Sequence, residues 1–152
     1  MPLQFQPIPG SYPPALDLSR RCFVALREVY RPRSGVTGRG SKGWQSWGAV
    51  EEGRLLAVID ARVNAGYLEL SALAVEPAYR RRGLARALID AVHTHLAPEL
   101  GASLWCVEQT GNLAIFDALG FQPVWRGESA IFILPCGAAA TEVKLTRPPR
   151  TR

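Results

Sequence analysis

Between Leu70 and Leu88 the chain reads LSALAVEPAYRRRGLARAL: an apolar run, a proline turn, then a basic bend that opens an amphipathic stretch. Arg80, Arg81, Arg82 and Arg86 surround Gly83, Leu84 and Ala85. A helix that begins here presents N–H groups with no partner inside the helix, at the positive end of its dipole. Gly83 and Ala85 are small enough to let an anion reach those amides. One favourable dipole contact is worth only ~0.3–1 kcal/mol, so useful affinity needs several amides acting together. A merely solvated helix start would set three arginines against the dipole and against one another. A bound anion accounts for them better.

Other residues with chemistry to offer are more scattered. Glu69 stands among Leu68, Leu70 and Leu73. A carboxylate there is costly unless it has a purpose, or a partner such as Arg62. Cys106 could carry a transferred group covalently, but a buried core thiol is the commoner use of such a residue. His93 and His95 are two apart on a helical stretch and point to different faces, so they form no pairwise metal site and no metal is expected. Trp44 and Trp47 stand at a loop-to-strand junction, where they either line a pocket or simply pack. Gly38 to Gly43 spell GxGxxG, but Pro32 and Arg33 precede the motif and Trp44 follows it. Without a strand before and a helix after, the dinucleotide reading fails, and a flexible loop is expected.

The elements that must position these residues follow from periodicity. Leu3–Ile8 reads as a short edge strand, limited by Pro7 and Pro9. Ala15–Tyr30 has helical spacing at Leu18, Cys22, Leu26, Val29 and Tyr30, and Arg31–Ser46 reads as an exposed loop. Strands are expected at Trp47–Glu51, Leu55–Val63 and Tyr67–Val75, with turns at Glu52-Gly53 and Asn64–Gly66. Arg82–Leu96 is the clearest helix, buried along Leu84, Leu88, Ala91, Val92 and Leu96 and stopped by Pro98 and Gly101. A strand at Leu104–Val107, a short helix at Asn112–Leu119 closed by Gly120, and a strand at Phe121–Trp125 come next. Ala130–Leu134 and Thr141–Thr146 are placed to pair as a hairpin. Strands and helices interleave in this way in an α/β sheet covered by helices.

On these residues a resemblance becomes specific. Val75-x-Pro77-x-x-Arg80-x-x-Gly83-x-Ala85 resembles motif A of the GNAT superfamily of N-acetyltransferases, Q/R-x-x-G-x-G/A after a strand. Asn112-Leu-Ala-Ile-Phe-Asp-Ala-Leu-Gly120-Phe121 resembles motif B, a short helix ending in L-G-F. The two fall in the family's order, motif A within about 67–96 and motif B within about 104–121. The resemblance covers roughly Trp47 to Thr146. It implies a mixed, mostly antiparallel sheet with helices on both faces, splayed open between the strand at Tyr67–Val75 and that at Leu104–Val107. Acetyl-CoA would lie in the opening. The backbone of Leu73, Ala74 and Val75 would pair with its pantetheine arm. Arg80 and the amides of Arg81, Arg82, Gly83, Leu84, Ala85 and Arg86 would hold the pyrophosphate, and Asn112 and Phe116 would border the thioester. Glu69 falls where family members place a catalytic glutamate. An alkyl ammonium of pKa near 10.4 is neutral in only ~0.04% of molecules at pH 7, a penalty of about 4.6 kcal/mol that such a base helps to offset. Phe116 departs from the pattern, because many members have a tyrosine there as general acid. The departure admits an alternative, a noncatalytic acyl-CoA-binding or sensing module on the same fold.

Bulk properties agree with one domain spanning 1–152. The chain is 47% hydrophobic and 20% charged, an ordinary globular balance. Three cysteines without CxxC spacing argue against a disulfide framework, and a reducing cytoplasm is expected. The first residues carry neither a charged nor an apolar leader segment, and no apolar run approaches the ~20 residues of a membrane helix. The net charge of +5 would suit nucleic acid, but the arginines concentrate at one helix start without interleaved aromatics, so nucleic acid is not the expected partner. The resemblance implies a small-molecule or peptide amine as acceptor; a homodimer is left open.

Overall fold

The computed structural model describes residues 2–35 and 43–150. The GxGxxG segment therefore lies, apart from Gly43, outside the described residues. Eight strands form one mixed sheet: β1 (Gln4–Ile8), β2 (Arg31–Pro32), β3 (Gln45–Glu51), β4 (Arg54–Asn64), β5 (Tyr67–Val75), β6 (Gly101–Val107), β7 (Gln122–Ile133) and β8 (Ala139–Arg147). Their order is β1-β3-β4-β5-β6-β8-β7-β2, and β5–β6 is the parallel pair. Helix α1 (Pro13–Leu26) precedes β2, α2 (Leu84–Leu96) crosses from β5 to β6, and α3 (Leu113–Ala118) leads from β6 into β7. Parallel neighbours need such a helical crossover, and that is the place of α2.

Two buried clusters hold the layers together. Leu88, Ile89 and Val92 of α2 pack on Trp47, Ile59, Leu68, Leu104, Val143 and Leu145 of the sheet, with Phe121 fully buried beside them. Ala15 and Leu18 of α1 pack with Ile8, Leu55, Val58 and Ala74 in a separate cluster. The sheet thus has a helix on either face. Burying a side chain such as Phe121 stabilises the fold by about 1.5–3 kcal/mol relative to leaving it exposed.

Three boundaries differ from the sequence reading. Helix α1 stops at Leu26 rather than Tyr30. The Tyr30 N–H still reaches Leu26 O at 3.0 Å, but its ring stacks edge-on against Phe132 of β7 at 4.9 Å, so tertiary packing ends the helical pattern. The expected loop from Arg31 begins with β2, which pairs with Phe132 and Ile133. The strands read at Phe121–Trp125 and Ala130–Leu134 are one strand, β7, with irregular register between Pro123 and Trp125 and again between Glu128 and Ile133. Gly127 interrupts the apolar pattern for a steric reason, since a Cβ there would lie 2.7 Å from the Trp125 ring. The tail hairpin is present, with β7 antiparallel to β8. On α2, Ile89 and His93 are buried, whereas Ala91 and Leu96 are only partly so.

Candidate active site

The parallel ladder between β5 and β6 has three register pairs, Tyr67↔Gly101, Leu68↔Ala102 and Glu69↔Ser103. Beyond Glu69 the two strands part. On its other side β5 stays paired with β4, but the register slips between Val58 and Asp60, and Ala72 is held at φ 57°, a left-handed conformation uncommon for a residue with a Cβ. A bulge of this kind bends a strand and re-aims its groups. Here it lies where β5 has left β6, so the backbone of Leu70–Val75 faces an opening.

A cavity of about 420 Å³ occupies the opening, within the usual range for a small-molecule site. Leu70, Ser71, Ala72 and Leu73 of β5 line one side and Leu104, Trp105, Cys106 and Val107 of β6 the other. The end of α1 and the turn after it contribute Phe23, Leu26, Arg27 and Tyr30, and the α3 region adds Thr110, Asn112, Ile115 and Phe116. Phe132 of β7 and Glu142 of β8 complete the wall.

The structure brings Leu73, Asn112 and Phe116 together at this cavity. Asn112 caps α3 with its carbonyl, which accepts from Ile115 N–H at 3.0 Å, and Phe116 leans edge-on against Phe121 at 6.2 Å. Ala74 is buried toward α1, and the Val75 carbonyl accepts a weak bond from Cys22 Sγ at 3.5 Å. The basic bend lies outside the cavity wall, at the start of α2. Ala87 N–H makes the first helical bond, to Gly83 O at 2.9 Å, so the N–H groups of Leu84, Ala85 and Arg86 precede the intrahelical ladder. Gly83 is the N-cap at φ 74°, ψ 14°. Its Cβ would meet nothing within 4 Å, so the left-handed backbone, rather than crowding, favours glycine. Arg81 shares the left-handed region at φ 65°. Arg80, Arg81, Arg82 and Arg86 are exposed. Arg82 lies over the Tyr79 ring at 5.0 Å, and Arg86 donates to Ala118 O at 2.6 Å, tying the bend to α3.

Glu69 is not brought to the cavity. Its Oε1 accepts from Arg62 Nε at 2.7 Å, and both side chains are 12% exposed. Trp44 lies over the Arg62 guanidinium at 4.2 Å. The carboxylate among leucines has the partner that makes its burial tolerable, and the expectation of a catalytic base at Glu69 gives way to an ion pair. Trp47 is likewise a packing residue, buried against His95 at 4.9 Å. Burial pushes the Cys106 thiol up, so it stays protonated and poorly nucleophilic at neutral pH. His93 is fully buried; its Nε2 bonds Leu100 O at 2.6 Å and its Nδ1 faces Arg147, which also donates to Asp90 at 2.9 Å. Burial holds His93 below the usual histidine range. Among the described residues no group of three His, Cys, Asp or Glu is placed to hold a metal ion, and no helix is long and apolar enough to cross a membrane.

Sequence reading missed Glu142, Ser129 and Tyr30. Glu142 is 2% exposed and its Oε1 accepts from Ser129 Oγ at 2.6 Å. Burial pushes the Tyr30 phenol above its usual range. An alternating strand reads Glu142 as solvent-facing, and no local signal shows that the end of α1 covers it.

A model of the acetyltransferase (GNAT) family matches residues 13–121. Similar solved structures include the ribosomal-protein-S18-alanine N-acetyltransferase from Escherichia coli, with a TM-score of 0.71 at 15% identity, covering 99% of this chain and 96% of that one. An aminoglycoside 6'-N-acetyltransferase complexed with coenzyme A superposes with a TM-score of 0.69 at 14% identity, covering 98% and 99%. ElaA from Escherichia coli gives 0.65 at 17% identity, covering 97% and 99%. No curated protein matches the chain in sequence.

Proposed function

Because this chain belongs to the acetyltransferase (GNAT) family, we propose that it moves an acetyl group from acetyl-CoA directly to a small-molecule or peptide amine in the cavity between β5 and β6. The observation that carries this reading is the coincidence of two features. The sheet opens beyond Glu69↔Ser103, and the opening lies between the unladdered amides of α2 and the Asn112–Phe116 segment. An extended thioester cosubstrate needs backbone groups along its arm and positive charge at its phosphates. The edge of Leu73, Ala74 and Val75 supplies the first. Arg80 and the amides from Arg81 to Arg86 supply the second, where a pyrophosphate gains from several aligned N–H groups at once. Asn112 and Phe116 border the thioester.

The chemistry needs a neutral amine and a leaving thiolate. Phe116 gives no proton, but a thiolate whose acid has a pKa near 8.5 is a tolerable leaving group without one. The free thiols of Cys22, Cys106 and Cys136 suit a reducing compartment, and we place the enzyme in the cytoplasm. Incubating the protein with acetyl-CoA and a panel of amines, amino acids and peptides should release free thiol with at least one acceptor. Release with none of them, despite measurable coenzyme A binding, would overturn the transfer reading.

A further inference from the structure

We propose that Glu142 receives the acceptor's ammonium group and takes its first proton, and that the acceptor is a primary amine on an apolar or aromatic body. The inference rests on the acetyl-transfer reading and assigns its base and its acceptor class. Among the described residues that line the cavity, Glu142 is the one acidic side chain and Arg27 the one basic one. Glu142 is buried, whereas Arg27 is exposed at the rim. Between them stand Phe23, Tyr30 and Phe132, the last two stacked edge-on.

The carboxylate is held in a set orientation. Ser129 Oγ accepts from Ile131 N–H at 3.0 Å and from Phe132 N–H at 2.9 Å. Its single proton is thereby directed to Glu142 Oε1, 2.6 Å away. A buried carboxylate is costly in an apolar wall and gains most from a cation that neutralises it. An ammonium arriving on an aromatic body offers that charge while its body covers Phe23 and Tyr30. A polycation would carry further charges past Arg27 with no acidic partner for them inside.

The step balances as follows. The ammonium gives one proton to Glu142, and the freed nitrogen lone pair attacks the thioester carbonyl of acetyl-CoA. The C–N bond forms, the C–S bond breaks, and the sulfur leaves with the bonding pair. The second nitrogen proton goes to the departing thiolate, leaving an amide and coenzyme A. Glu142 then returns its proton to solvent.

The test compares wild type, Glu142→Gln and Glu142→Asp, using 2-phenylethylamine and spermidine as acceptors. Free-thiol release reads turnover and calorimetry reads coenzyme A affinity. Wild type should use 2-phenylethylamine with kcat/KM at least about tenfold above spermidine. Glu142→Gln should lose about a hundredfold in kcat at pH 7 while coenzyme A affinity stays within about threefold. That loss should shrink as pH rises toward the pKa of the ammonium, and Glu142→Asp should recover part of it. A purely structural role would give a loss that pH does not change; that result, normal turnover in Glu142→Gln, or a preference for spermidine would overturn the proposal. Should Glu142→Gln not fold, Ser129→Ala carries the test, with a smaller loss of the same pH dependence expected and an unchanged profile overturning it. Wild-type protein that releases thiol with no acceptor sinks the transfer reading itself, whereas turnover that survives Glu142→Gln sinks this assignment alone.

Discussion

The basic bend and the wall around Glu142 stand at two ends of one cleft and are built in opposite ways. The bend is local. Every group in it comes from Arg80 to Arg86, its geometry depends on left-handed backbone at Arg81 and Gly83, and its cations are exposed. The wall is assembled from distant segments: Tyr30 from the turn after α1, Ser129 and Phe132 from β7, and Glu142 from β8. Its polar atoms are buried and oriented by partners. The bend suits a ligand whose recognisable part is invariant charge, and exposed charge tolerates small displacements. The wall suits a ligand defined by shape, since a buried carboxylate among aromatic rings rejects whatever leaves it unpaired.

This difference can be broken by paired substitutions. The largest effect is expected from Tyr30→Ala, which removes an aromatic face from the wall. The acceptor KM should rise about thirtyfold, ~2 kcal/mol, with coenzyme A affinity unchanged in calorimetry. Comparable weakening of both ligands would mean that bend and wall are not separable. Gly83→Glu should do the reverse, since it sets a like charge at the phosphate position and a side chain on left-handed backbone. Coenzyme A affinity should fall at least about tenfold, ~1.4 kcal/mol, with the acceptor KM little changed at saturating acetyl-CoA. Unchanged affinity in a folded variant would remove the bend from the site. The smallest kinetic effect is expected from Glu69→Gln. It weakens the Arg62 pair and should lower stability by about 1 kcal/mol while kcat stays within about twofold. A hundredfold fall in kcat instead would return the base to Glu69.

The same contrast explains what could be read from the chain. Strands β4 and β5, helix α2 and the basic bend are written in contiguous periodicity, and they stand where that periodicity puts them. The C-terminal end of α1 was overrun because Val29 and Tyr30 keep helical spacing while serving a contact with β7 that no local pattern encodes. The interruption at Gly127 read as a break between strands, although it makes room for Trp125 within one strand. Leu73, Asn112 and Phe116 were found because they lie in or beside motifs. Glu142 was missed because it alternates with Val143 and Leu145 in a strand whose other face reads as solvent. Only a segment from the far end of the chain turns that face inward.

The short parallel seam has a mechanical meaning of its own. Between Tyr67 and Glu69 it is the ladder that joins β1-β3-β4-β5 to β6-β8-β7-β2. The sheet therefore behaves as two four-stranded leaves on a narrow hinge, with Arg147 reaching from β8 to Asp90 and His93 of α2 as the clasp across it. Opening the leaves severs no antiparallel ladder, so the cleft can widen for a bulky cosubstrate while each leaf keeps its own hydrogen bonds. Amide exchange would register such breathing as early loss of protection at the seam, ahead of the strands inside either leaf.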